Sequence, residues 1–237
     1  MTDHIVSSYD QELQGLAGQI AEMGGMAEGL VADAITALVR GDTALAQKVI
    51  LSDQRLDRLQ HQVEEQAIRI IAKRQPMARD LREIFGAMRV SADLERVGDL
   101  AKNIAKRVVA MGGVVQIKRI VIGVEHLSEI ALEQLKNVLD SYTSRDAAEA
   151  MAVRNRDDQI DALYTSLFRE LLTYMMEDPR NITFCTHLLF CAKNVERIGD
   201  HATNIAEIVH YVATGEQLLD ERHKIDETAD MPPVAQG

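Results

Sequence analysis

Leu94-Glu95-Arg96-Val97-Gly98-Asp99 returns 101 residues later as Val195-Glu196-Arg197-Ile198-Gly199-Asp200. The match runs on to Asn103-Ile104-Ala105 and Asn204-Ile205-Ala206. Upstream, Asp42 and Asp146, Asp53 and Asp157, and Asp57 and Asp161 each stand 104 apart. The change of offset from 104 to 101 places a small deletion near the second interhelical turn of the repeat, where loops accept it. A duplicated unit is the simplest account.

Apolar residues recur at helical spacing along nearly the whole chain. Leu16, Ile20, Met23, Ala27, Leu30, Ala34 and Leu38 form one stripe, stopped by Gly41-Asp42, with Asp42 placed to cap the next helix. Leu45, Val49, Leu56, Leu59, Val63, Ala67 and Ile71 form the second, up to Gln75-Pro76. Pro76 is tolerable in the first turn of a helix, so the third is expected from about Met77 to Met111, ended by Gly112-Gly113. The second half repeats the plan. It has a helix at Ile122–Leu139, a break at Ser144-Arg145-Asp146 and one helix from about Ala147 to Met176. Asp178-Pro179 and a last helix to about Val212 follow. Val114–Val124 alone hints at period-2 alternation. The reading is all-α: two tandem three-helix bundles, residues 1–113 and 114–215, and an acidic tail, 216–237, expected to be disordered.

Composition agrees. Aromatic residues are 4% of the 237, Trp is absent and only four Pro occur, which argues against sandwiches and barrels. The formal charge is −11, concentrated in the second half. A nucleic-acid partner, which needs a basic footprint, is therefore not expected. The longest uncharged apolar-rich run, Val108–Ile117, is about half a membrane span, so no membrane-spanning segment is expected. Cys185 and Cys191 suit buried free thiols in a reducing compartment, and the expected location is cytoplasmic.

Four acid pairs have i,i+4 spacing: Asp53/Asp57, Glu95/Asp99, Asp157/Asp161 and Glu196/Asp200. Each puts two carboxylates on one helix face, which destabilises a helix by roughly 0.2–0.5 kcal/mol. One reading is a solvated face. A second is pairing with Arg96 and Arg197, three residues before Asp99 and Asp200. The third is a cation site. Leu81, Phe85 and Met88 lie in line with Glu95 and Asp99, and Ile182 and Leu189 with Glu196 and Asp200. A face that turns from apolar to anionic suits a neighbour better than bulk water. Gly98 and Gly199, mid-helix at about 1 kcal/mol each relative to Ala, point to close helix approach, and converging oxygens suit a divalent cation. No phosphate-cradling loop, dinucleotide fingerprint, zincin motif or nucleophile elbow is present, so catalysis is not the first expectation.

At the duplicated segments, together with Gln75-Pro76-Met77-Ala78-Arg79-Asp80-Leu81-Arg82, the sequence resembles the PhoU family of phosphate-signalling proteins over about residues 5–215. The resemblance implies two three-helix bundles side by side, usually as a homodimer. It also implies a cytoplasmic, non-enzymatic negative regulator of phosphate uptake and of the phosphate-starvation response. Its implied partners are the ATPase subunit of a phosphate ABC transporter and a sensor histidine kinase, with the membrane reached only indirectly through them. Some family members bind multinuclear iron or zinc clusters through Glu/Asp-x-x-x-Asp motifs. Here these fall on Glu95/Asp99 and Glu196/Asp200, with Asp53/Asp57 and Asp157/Asp161 as further contributors. The second copy lacks the Met-Ala-x-Asp-Leu-Arg stretch around Pro179. The alternative expectation is a carboxylate-cluster metal-binding protein or metalloenzyme on the same bundle.

Overall fold

The structure, a computed structural model, describes residues 2–113 and 117–218, with side chains from Tyr9 onward. The first half is three helices: α1 (Thr2–Arg40), α2 (Thr43–Arg74) and α3 (Ala78–Ala110). The second comprises α4 (Lys118–Ser144), α5 (Ala147–Arg154), α6 (Asp157–Glu177), a 3-10 turn at Pro179–Asn181 and α7 (Ile182–Thr214). No strand occurs among the described residues. The ambiguous Val114–Val124 stretch is helical from Lys118, four residues before the expected start. The boundary drawn at residue 113 abuts residues 114–116, outside the described ones, as is most of the expected tail (219–237).

The two Asp caps fall where the repeat places them. Asp42 accepts from the Leu45 N–H at 2.9 Å; Asp146 accepts from Ala148 and Glu149 at 2.9 and 3.0 Å. Each satisfies amide donors that a helix start would otherwise leave orphaned. The residue before each cap is left-handed: Gly41 at φ 65° and Arg145 at φ 56°. An arginine there carries about 1 kcal/mol of strain. Its guanidinium reaches Glu83 of α3 at 2.8 Å, tying the α4–α5 corner to the first half.

Two expectations need correction. Pro76 lies before α3 rather than in its first turn: Gln75 caps α2 in the left-handed region, Met77 is extended and Ala78 has φ 47°, so right-handed helical geometry begins only after Ala78. The single helix expected at Ala147–Met176 is two. Asn155 and Arg156 adopt φ/ψ of −74°/−5° and −95°/0°, which interrupts the ladder. Gln134, buried on α4, donates to the Arg156 carbonyl at 3.1 Å and supports the break. Asp157 and Asp158 then supply negative charge to the first turn of α6, where the helix dipole favours it.

Taking α5–α6 as one interrupted helix, six helices form two bundles. α3 packs on α1 and α2, α7 packs on α4, α5 and α6, and the halves meet through α3 on α7 and α1 on α4. Buried apolar side chains, among them Ile20, Leu56, Leu94, Ile104, Leu135 and Ile160, make one continuous core. The third helix of each half is thus central, and it carries the repeated pairs Glu95/Asp99 and Glu196/Asp200.

Candidate functional site

Glycine sets the spacing. A Cβ on Gly98 would lie 2.4 Å from Leu56 Cδ2 and 3.2 Å from Asp53 Oδ1; one on Gly199 would lie 2.6 Å from Ile160 Cδ1. Leu56 and Ile160 are themselves repeat equivalents, 104 apart. The missing side chains let α2 settle on α3, and α6 on α7, as the mid-helix glycines predicted.

In the first half this approach brings Asp53 beside Asp99. The Lys102 ammonium donates to Asp53 Oδ2, and to Asp99 Oδ1 at 2.6 Å. Asp53 is 1% exposed, and its Oδ1 is buried without a hydrogen-bond partner among the described residues. Burial pushes the Asp53 carboxyl up against the opposing pull of Lys102. Burial also disfavours the Lys102 charge, but its two carboxylate hydrogen bonds outweigh this and hold it well above the ordinary lysine range. Glu95 is raised by burial, then by Asp99, with Asp57 and Asp53 adding and Arg96 opposing. Arg96 reaches Glu95 and Asp99 only at 3.6 and 3.8 Å from an exposed position.

The second half joins its acids differently. Glu196 is buried and accepts from Lys193 at 2.8 Å, while Lys193 also lies 5.0 Å over the Tyr164 ring. Thr203 Oγ1 donates to Asp157 Oδ1 at 3.2 Å and lies 3.1 Å from the Gly199 carbonyl. Asp161 and Asp200 are also engaged in polar or electrostatic contacts. Arg197 makes no ion pair among the described residues.

Solvation alone therefore does not describe the repeated acids, and arginine pairing is limited to the long, exposed contacts of Arg96 with Glu95 and Asp99. The cations that hold them at hydrogen-bond distance are Lys102 and Lys193, neither of which adjoins an acid in the sequence. Both carried a signal: each lies three residues from an acid, Asp99 or Glu196, on the same helix face. As arranged, the first cluster fits an ammonium rather than a metal. Among the described residues no three His, Cys, Asp or Glu side chains are placed to hold an ion.

A polar seam between the halves was also not anticipated. His201 Nδ1 of α7 lies 2.8 Å from Asp93 Oδ1 of α3, and Asn204 donates to the same oxygen at 3.2 Å. Cys185 and Cys191 are buried and unpaired, and burial pushes the Cys191 thiol up to about 12. Both are thiols, not thiolate nucleophiles, at neutral pH.

A sequence model described as the PhoU domain matches residues 20–108 and 124–209. The chain belongs to the PhoU family. It is 62% identical over 231 residues to the phosphate-specific transport system accessory protein PhoU homolog of Rhizobium meliloti, covering 98% of each chain. It is 51% identical over 226 residues to that of Caulobacter vibrioides, covering 95% of this chain and 98% of the relative. The crystal structure of PhoU from Pseudomonas aeruginosa superposes with a TM-score of 0.84 at 36% identity, covering 88% of this chain and all of that one. The PhoU regulatory protein from Streptococcus pneumoniae gives 0.81 at 27%, covering 89% and 99%. The PhoU fold, two tandem three-helix bundles, is thus the fold of this chain. Among the described residues no helix is long and apolar enough to cross a membrane.

Proposed function

We propose that this PhoU-family chain is a cytoplasmic, non-enzymatic negative regulator of phosphate uptake and of the phosphate-starvation response. In this reading it works as an adaptor between the ATPase subunit of a phosphate ABC transporter and a sensor histidine kinase, and acts as a homodimer. The observation that carries the reading is the 62% identity, over nearly the full length of both chains, to a protein named as an accessory of phosphate-specific transport. The geometry supports it. The buried Asp53 and Glu196 and the half-buried Asp157 are engaged internally by Lys102, Lys193 and Thr203, which suits a scaffold rather than a reaction centre. Leu81 and Phe85 on α3 and Ile182 on α7 are exposed on the single chain, as a protein that works by binding others requires. Regulation is then a population shift: the adaptor binds one kinase–transporter arrangement better than the other. Deleting the gene should leave starvation genes expressed at high phosphate, read with a reporter in the deletion strain and in one carrying the gene back. Sustained repression in the deletion strain would rule the role out.

A second reading has one observation in its favour, the buried and unpartnered Asp53 Oδ1. In it, iron or zinc is held by Glu95, Asp99, Asp53 and Asp57, with Glu196, Asp200, Asp157 and Asp161 as the second set. Lys102 would first have to leave Asp53 and Asp99. Elemental analysis of untagged protein purified without chelator decides it. Bound metal also requires chelation to lower the melting temperature, by removing a ligand of the native state. Metal-free protein with an unchanged melt retires this reading.

A further inference from the structure

On the other side of the α3–α7 contact, positive charge is left uncompensated in an acidic chain. Asn103, Lys106, Arg107 and Ala110 of α3 face Phe190 and Asn194 of α7 across a cleft of about 360 Å³. Neither Lys106 nor Arg107 has a carboxylate within ion-pair distance among the described residues. Arg107 is held in place instead by the Phe190 ring, with its guanidinium carbon 4.2 Å from the centroid. Asn103 has no hydrogen-bond partner among the described residues, and Asn194 uses one amide proton on the Phe190 carbonyl at 2.7 Å, leaving the other. His187, one turn before Phe190 on the same face of α7, has a buried Nδ1 without a hydrogen-bond partner. Burial, then the nearby Arg107 charge, lowers its pKa, so the ring already senses this cation.

The repeat supplies an internal control. At the offset of 101, Asn103 corresponds to Asn204, Lys106 to Glu207, Arg107 to Ile208 and Asp93 to Asn194. At that mirrored place Glu207 pairs with Arg154 at 3.2 Å, and Asp93 is met by His201 and Asn204. That side is closed by its own partners, while the α3 side offers cations and amide donors with no anion.

We propose that the cleft between α3 and α7 binds a phosphate group, either as inorganic phosphate or on a small phosphomonoester. A guanidinium fork fixed by an aromatic ring, a mobile ammonium and amide N–H donors are the groups that recognise a tetrahedral dianion. The volume equals that of roughly ten waters at about 30 Å³ each, so an organic group fits beside the phosphate. This site is separate from the acid clusters, and the proposal does not depend on the regulatory reading.

The test is calorimetric titration of the full chain at constant ionic strength with inorganic phosphate and, separately, with adenosine monophosphate. Saturable one-to-one binding of either supports the site, and the tighter ligand identifies the source. Lys106→Gln and Arg107→Gln should each weaken binding by roughly tenfold, as expected for loss of a charge-assisted hydrogen bond. Arg58→Gln, on exposed α2, should leave it unchanged. Lys106 is exposed and unpaired, so its variant keeps the test valid if Arg107→Gln fails to fold. No saturable binding of either ligand, or binding that Lys106→Gln leaves intact, overturns the proposal.

Discussion

The two halves bring the second helix onto the third at the same glycine, yet balance the charge of their acids in different ways. In the first, Lys102 is shared by Asp53 and Asp99. Its repeat equivalent is Thr203, which offers Asp157 only a hydroxyl. In the second, the ammonium comes from Lys193, whose equivalent is Ala92, and it meets Glu196 instead. The backbone explains the asymmetry. α2 runs unbroken through Asp53, so that carboxylate sits mid-helix and buried with no dipole to help it. The break at Asn155–Arg156 puts Asp157 in the first turn of α6, where helix amides and the dipole favour a negative charge. A lysine is needed at one place and dispensable at the other. Duplication retained the close helix approach, and each copy then met its electrostatic demand separately.

The largest test of this contrast is Lys102→Met against Thr203→Val. The first leaves a buried carboxylate without its cation and should remove about 3 kcal/mol of stability at pH 7. The second removes a neutral donor and should cost about 1 kcal/mol. Denaturant melts of both variants decide it, and adding Asp53→Asn to Lys102→Met should recover most of the loss. If both variants lose the same amount, the dipole account of Asp157 is wrong.

Next in size is Gly98→Ala against Gly199→Ala. Each gains about 1 kcal/mol of helix propensity but drives a methyl into a buried neighbour, Leu56 or Ile160, and overpacking costs about 1–3 kcal/mol. Both should be destabilised by about 1 kcal/mol net, Gly98→Ala the more because its methyl also crowds Asp53. Thermal melts check this, and Leu56→Ala should relieve Gly98→Ala alone. A stabilised Gly98→Ala would mean the helices do not need that approach.

Much of this was legible in the sequence because it is local or periodic. The six stripes, the Asp42 and Asp146 caps and the Gly98/Gly199 approach all follow from spacing and from what a residue type does to its own backbone. What stayed hidden depends on distant partners. The break after Arg154 carries no Pro or Gly and relies on Gln134, more than twenty residues away, taking the Arg156 carbonyl. The reach of Lys102 to Asp53 crosses from α3 to α2, and the Asp93–His201 contact crosses between halves. Arginines next to the acids in sequence were the natural candidates for pairing. Helix geometry turned Arg96 and Arg197 outward, leaving Arg96 only long contacts to its acids, and aimed lysines one turn away at the carboxylates.

The finest distinction between the halves is between equivalent glutamates. Glu95 lies among Asp99, Asp57 and Asp53, and its carboxyl is raised by burial and by these neighbours. An acid raised in the fold is less willing to ionise there than in the unfolded chain, so ionised Glu95 opposes folding. That penalty is complete above its folded pKa, fades as pH falls through it and is absent below the ordinary carboxylate range. Glu95→Gln should therefore gain about 0.5 kcal/mol at pH 7 and nothing near pH 3.5, where the wild-type side chain is already neutral. Glu196, buried and held by Lys193, should respond with the opposite sign at pH 7, because its amide variant leaves the ammonium without its carboxylate. Paired melts across that pH span separate the two. A common sign would mean that the lysines, although placed differently, serve both acids alike.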